Sequence, residues 1–285
     1  MTMNGRNLMK TVIKSLLVTA LLSSSLSTLA ETTEDRLLRR AQQGDANAQS
    51  LMGSSACKSG DYYAALDWYE KAAKQAYGKD DQEWQQYQLA EMYWAGMCIG
   101  AKTEQGSPNY PKALEWYERV AFNSNPKNLS YHYIAKFRIA EIYLFEKGGI
   151  KRDGAEAKRL YTELANIPDD VIQQLKNNEN VLEAAKGLAI QEIRSNARYR
   201  LAQMHYYGKF ATQNYQLAFQ WADKAVSDDH PYAAALLAVL LYNGLGVKQD
   251  KAEGLRLVEV ACDEFAIEKA CELYQQMKAN LPVKY

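Results

Sequence analysis

Four cysteines, three histidines and a supply of carboxylates are the groups with which this 285-residue chain could do chemistry. His132, His205 and His230 stand far apart, and no two have the close spacing that holds a transition metal. No serine sits in a nucleophile elbow, and no Ser-x-x-Lys stands in a context that would support acyl transfer. Gly244 and Gly246 lack the preceding strand and the Lys-Ser/Thr that a phosphate loop requires. Glu70, Glu115, Glu118 and Glu259 read as solvent-facing helix residues with neighbours four positions away, as Glu70 with Lys74. Glu91 and Glu141 hold equivalent places 50 residues apart, which is no acid–base pair without a fixed geometry. The expectation is a chain with no catalytic residue, no metal and no cofactor. Cys57, Cys98, Cys262 and Cys271 leave three options open: disulfides, free thiols or zinc ligation, with the two pairs too distant for one shared zinc site.

The elements that would position these groups are helical hairpins. Ala234, Leu237, Ala238, Leu241 and Tyr242 recur at helical spacing. Gly244 and Gly246 interrupt them, Asp250 can cap a second helix, and Leu255, Leu257, Val258 and Ala261 form its apolar surface. The pattern repeats. Ala238, Leu241 and Gly244 have counterparts in Ala202, His205 and Gly208, and in Ala90, Tyr93 and Gly96. Ala140, Tyr143 and Glu146 form a degraded copy, as do Gly53, Ala56 and Ser59. Second helices align as Tyr62, Ala65, Trp68 and Ala72 with Tyr110, Ala113, Trp116 and Val120, and with Tyr215, Ala218, Trp221 and Ala225. Ala202 and Ala238 stand 36 residues apart, Gly53 and Ala90 37, a period that belongs to an α/α solenoid. Trp68, Trp116 and Trp221 are expected to fill the space between the helices of a hairpin.

The run YNGLGVKQD from Tyr242 resembles the loop signature of the Sel-1-like repeat family, relatives of tetratricopeptide repeats. YAALDWYEKAA from Tyr63, YPKALEWYERVA from Tyr110 and YQLAFQWADKA from Tyr215 resemble its second-helix signature. The resemblance covers about Gly44 to Met277. It implies an all-α, right-handed α/α solenoid of about five repeats with terminal capping helices. Repeats are expected at about 46–77, 84–122, 131–166, 190–230 and 232–265. A helical insertion falls at about 168–189, and a capping helix at 267–277 presents Ala270, Leu273, Tyr274 and Met277. The cysteines resemble those of the family's cysteine-containing branch, where bridges tie consecutive helices. That likeness implies a Cys262–Cys271 bridge, and a Cys57–Cys98 bridge is geometrically possible because both lie near the ends of successive first helices.

Residues 1–30 read as a secretory signal peptide cut before Glu31: Arg6, Lys10 and Lys14 precede an apolar run from Ser15 to Leu26, and Ala30 ends a small-residue site. The expected location is periplasmic, with no transmembrane segment after cleavage. Lys and Arg total 34 against 34 Asp and Glu, without a basic tract that would argue for nucleic acid.

Tyr87, Tyr131, Tyr133, Tyr199 and Tyr206 lie on first helices away from the small anchors, and first helices line the concave face of such superhelices. Exposed tyrosines give contact area at low entropy cost, so these five, with Glu91 and Glu141, are the expected partner-binding residues. The leading reading is a scaffold or adaptor that binds another protein, a toxin or a cell-envelope protein, in the groove. The resemblance also implies two alternatives: an immunity protein that neutralises a secreted antibacterial toxin, and an enzyme acting on peptidoglycan or β-lactams.

Overall fold

A computed structural model describes residues 32–75, 83–98, 107–123 and 129–285. The expected signal peptide lies outside them, as do residues 76–82, 99–106 and 124–128. All regular structure among the described residues is helical: α1 Thr33–Gln42, α2 Ala46–Lys58, α3 Tyr62–Gln75, α4 Glu83–Ala95, α5 Tyr110–Ala121, α6 Leu129–Phe145 and α7 Gly154–Ala165. There follow α8 Asp169–Lys176, α9 Val181–Tyr207, α10 Tyr215–Val226, α11 Pro231–Asn243, α12 Lys251–Asp263 and α13 Glu268–Lys278. Five hairpins, α2/α3, α4/α5, α6/α7, α9/α10 and α11/α12, pack in succession, each chiefly on its neighbours, as a solenoid requires.

The hairpins share one local device. Asn109, Asp153, Asn214 and Asp250 each cap a second helix, their side-chain oxygens accepting from the backbone N–H three residues on at 2.9–3.1 Å. Each cap also donates its own N–H to a first-helix carbonyl: Tyr93, Tyr143, His205 and Leu241 respectively. The turn is thereby pinned at both ends of its hairpin.

Packing explains the small anchors. Ala90, Ala140, Ala202 and Ala238 are fully buried. A β-carbon on Gly53 would stand 2.9 Å from the Tyr69 ring. Gly244 and Gly246 adopt positive φ, and a β-carbon on Gly246 would fall 2.2–2.5 Å from the backbone of Tyr215 and Gln216. The loop after α11 therefore lies directly on the start of α10.

The tryptophans divide. Trp116 is buried, whereas Trp68 and Trp221 are only half-buried, contrary to the expected filling role. All three lie beneath a cation three residues on, Lys71, Arg119 and Lys224, at 4.4–4.8 Å from the ring. The position one residue further, about 100° around the helix, points inward. Tyr69 and Tyr117 occupy it beneath Trp68 and Trp116, and Tyr161 follows Leu160 in the same way; all three are buried.

The extra helical stretch between the third and fourth hairpins comprises α8 and the start of α9, which runs unbroken for 27 residues into the fourth first helix. Arg194 ties it down. Its guanidinium chelates Asp228 at 2.6 and 2.9 Å and donates to the Ile167 carbonyl at 3.0 Å and to Asp169 at 2.5 Å. Arg194 and Asp228 are 4% and 6% exposed, so this is a buried, bidentate, fully paired charge. At the two ends, α1 and α13 cover the outermost hairpins, and Ala270, Leu273 and Met277 of α13 are buried.

Candidate partner-binding face

Residues three, four or seven apart share one side of a helix. On α4 such a stripe runs through Trp84, Tyr87, Glu91 and Trp94; on α6 through Tyr131, Arg138, Glu141 and Phe145; on α9 through Arg200, Gln203 and Tyr207. These first helices are neighbours, α4 beside α6 and α6 beside α9, and the stripes meet.

At one end they meet as aromatics. The Tyr87 and Tyr131 rings stack at 4.7 Å, and Trp84, 42% exposed, lies 5.6 Å from Tyr131. In the middle they meet as charge. Arg138 places Nε 3.3 Å from Glu91 and a terminal nitrogen 3.3 Å from Glu141, and Arg200 reaches Glu141 from the other side at 3.5 Å. The Tyr117 hydroxyl donates to Glu91 at 2.7 Å from the hairpin interior. Burial pushes the phenols of Tyr87 and Tyr117 above their ordinary value, and Glu91 adds to the effect, so both remain protonated donors. Trp94 carries two cations on its ring, Lys147 at 4.0 Å and Arg138 at 4.5 Å. Burial holds the Lys147 ammonium below its ordinary value.

Beyond this ladder the ribbon opens into a cavity of about 570 Å³. Phe145, Met204, Tyr207 and Phe210 contribute its apolar lining, Arg152, Arg200 and Lys209 its charge, and no lining residue is acidic. Arg152 lies over Phe210 at 5.6 Å and Arg200 over Phe145 at 5.1 Å. Arg152 also pairs with Glu146 at 2.8 Å and Arg200 with Glu141, so such a site suits a group with a flat apolar body and a carboxylate that shares these guanidiniums with the chain's own acids.

Of the expected partner-binding residues, the ribbon gathers Tyr87, Glu91, Tyr131 and Glu141. Tyr133 stands apart: two residues on from Tyr131, it lies against His132 and is influenced by Glu163 of α7. Tyr199 and Tyr206 are not exposed contact area as expected. They are 9% and 8% exposed, because residues of the chain's own tail lie over them. Trp84, Trp94, Arg138 and Arg200 were not anticipated. Their signal was available in part, since Trp84 and Glu91, and Tyr131 and Arg138, are each seven apart.

The cysteines form two disulfides, Cys57–Cys98 and Cys262–Cys271, with Cα separations of 5.4 and 4.7 Å. The first joins the end of α2 to the turn that follows α4, the second α12 to α13. Among the described residues no three His, Cys, Asp or Glu side chains converge to hold a metal, and no helix is long and apolar enough to cross a membrane.

The Sel1 repeat family model matches residues 48–77, 86–121, 134–166, 195–230 and 231–264. Among solved structures, the chain is similar to a Sel1 repeat protein from Oxalobacter formigenes at 18% identity, with a TM-score of 0.55, covering 96% of this chain and 90% of that one. It also matches a Sel1 repeat protein from Klebsiella pneumoniae at 19% identity, with a TM-score of 0.37, covering 86% and 99%. A protective antigen of uropathogenic Escherichia coli with an SLR fold matches at 18% identity, with a TM-score of 0.34, covering 88% and 60%.

Proposed function

The chain belongs to the Sel1 repeat family, whose members are protein–protein interaction scaffolds, and from that premise we propose that it is exported and binds one partner protein along the ribbon of α4, α6 and α9. The observation that carries this reading is the continuity of the ribbon across three repeats, from the aromatic cluster through the Glu91–Arg138–Glu141–Arg200 ladder to the cationic cavity. Aromatic and arginine side chains held in place by neighbours lose little freedom on binding, which is the character of interface hot spots. The partner offers flat apolar groups to Trp84 and Tyr131 and carboxylates to the cavity.

The periplasm is the compartment this reading assigns. It is supported by the basic start and apolar run of residues 1–30 and by two disulfides, which persist in an oxidising environment. A scaffold or adaptor role is the broad form. The narrower form is an immunity protein that blocks a toxin delivered from outside, favoured by the concentration of rigid aromatic and arginine contacts on one strip.

The test is capture with tagged residues 31–285 from periplasmic extract, and from extract of competing cells, beside the triple variant Tyr87→Ala, Tyr131→Ala, Arg138→Ala. The expected result is a dominant partner that the wild type retains and the variant loses at least about tenfold, with the far-ultraviolet circular dichroism unchanged. Equal retention by a folded variant would refute the ribbon. Retention of one toxin-like enzyme at a one-to-one ratio selects immunity; several envelope proteins select the adaptor.

A further inference from the structure

The tyrosines Tyr199 and Tyr206 are buried by an occupant, and the occupant is an extended peptide. After α13 the chain runs without regular structure from Leu281 to Tyr285 and crosses back over α9 and α11. The Asn243 amide donates to the Val283 carbonyl at 3.0 Å. The Tyr285 N–H donates to the Tyr206 hydroxyl at 3.2 Å, and the Tyr207 hydroxyl donates to the Tyr285 carbonyl at 3.0 Å. The Tyr285 phenol enters between Tyr199 and Tyr232, sharing a hydroxyl contact with Tyr199 and donating to the Tyr232 carbonyl at 3.3 Å. Val283 is buried two residues earlier, on the same side of the extended segment.

These contacts are those of a peptide-reading groove. Three side chains, Asn243, Tyr206 and Tyr207, bind main-chain atoms and so do not require a particular sequence. Two positions select: an apolar site for Val283, and a slot for a phenol lined by Tyr199, Tyr206 and Tyr232. Burial pushes the Tyr285 phenol above its ordinary value, the behaviour of a group seated out of water. Tyr207 also lines the cationic cavity, so the groove continues the ribbon of α4, α6 and α9.

We infer that the α9–α11 groove is a docking site for an extended segment of the partner protein carrying a small apolar residue and, two residues on, a tyrosine. The chain's own Leu281–Tyr285 segment holds the site closed until that segment displaces it. The inference rests on the partner-binding reading and adds to it the class of peptide recognised and a built-in competitor. A tethered segment acts at an effective concentration on the order of millimolar, so it weakens a free peptide of roughly 100 µM affinity about tenfold. Competition of this kind sets a threshold that a weak mimic fails and a partner also held on the ribbon passes.

The experiment uses the full chain and a fluorescein-labelled peptide, ANLPVKY, corresponding to residues 279–285. Wild type, Tyr285→Ala and Val283→Ala are titrated by fluorescence anisotropy, with the tyrosine-to-alanine peptide as control. Tyr285→Ala is expected to bind the peptide at least about tenfold more tightly than wild type, and Val283→Ala to gain less. The control peptide is expected not to bind. If Tyr285→Ala does not fold, Val283→Ala alone carries the test. A folded variant that binds the peptide no better than wild type overturns the inference. Since the tail makes none of its contacts with Tyr87, Tyr131 or Arg138, capture lost in that triple variant with no peptide gain sinks only this inference. A peptide gain with capture undiminished in the triple variant sinks only the ribbon.

Discussion

His230 makes stability depend on acid in a way that can be isolated. It caps α11 through its ring: Nδ1 accepts from the Ala233 N–H at 3.1 Å, and Nε2 lies 3.3 Å from the Asn196 side-chain oxygen. The neutral ring satisfies both contacts with its proton on Nε2. A second proton on Nδ1 would face an N–H donor and break the cap. The ring is 6% exposed and lies 4.5 Å from Tyr199, and burial, reinforced by Arg200, pushes its pKa down from 6.5 to about 4. The folded value lies below the unfolded one, so between them the unfolded chain binds a proton that the folded chain refuses. The stabilisation is complete above about pH 6.5 and is lost as pH falls towards 4. With 1.36 kcal/mol per unit, the loss from pH 7.5 to 4.5 is about 2.5 kcal/mol. His230→Asn keeps a capping oxygen and removes the titration. Chemical denaturation at the two pH values should show wild type losing about 2.5 kcal/mol more than the variant, and the His230 ring protons should not titrate by nuclear magnetic resonance above about pH 5. An equal acid loss in both proteins, or a ring titrating near 6.5, would refute the reasoning.

Packing and covalent structure fix the expected cost of four further perturbations. Gly246→Ala drives a β-carbon into the Tyr215–Gln216 backbone at a position of positive φ, and should cost about 2 kcal/mol or more, read as a fall in denaturation midpoint. Arg194→Met strands Asp228 in the interior and should cost about 3–5 kcal/mol, whereas a loss under 1 kcal/mol would show that Arg198, 2.7 Å from Asp228, suffices alone. Removing Cys57–Cys98, which closes a separation of 41 residues, should destabilise by about 4 kcal/mol; removing Cys262–Cys271, a separation of 9, should cost about 2.5 kcal/mol. Serine pairs at each bridge, compared by thermal unfolding, test that order.

The hairpins were legible because their physics is local. A small residue is needed wherever two helices cross, so Gly53, Ala90, Ala140, Ala202 and Ala238 mark the crossings of the five hairpins. The caps were legible for the same reason, as at Asp250, where the side chain meets a backbone N–H three residues away. The role of the tryptophans was misread because adjacent residues sit 100° apart on a helix, and a pattern of Trp68 followed by Tyr69 does not say which ring points inward. The site was legible only in part. Tyr87 and Tyr131 are 44 residues apart, and their stacking depends on how one hairpin is set against the next. Tyr199 and Tyr206 had the right spacing for an exposed stripe, but a tail 79 to 86 residues away returns to cover them. Neither pitch nor return is written in a periodicity.

The insertion sharpens the same point. Extra residues between the third and fourth hairpins ought to break a surface that depends on neighbouring first helices. Yet Arg200 of α9 still reaches Glu141 of α6, and the ribbon crosses the irregular junction. The reason is electrostatic rather than periodic. Arg198 donates to the Ala165 carbonyl at the end of α7 and to Asp228, while Arg194 binds the Ile167 carbonyl and the same Asp228. Two arginines one helical turn apart thus fasten the carbonyls ending the third hairpin to the acid following the fourth. Oriented polar bonds with no freedom to slide maintain the alignment that periodic packing maintains elsewhere. The ribbon crosses this junction without a break because these bonds fix one hairpin against the next, so charges buried away from its surface help determine its shape.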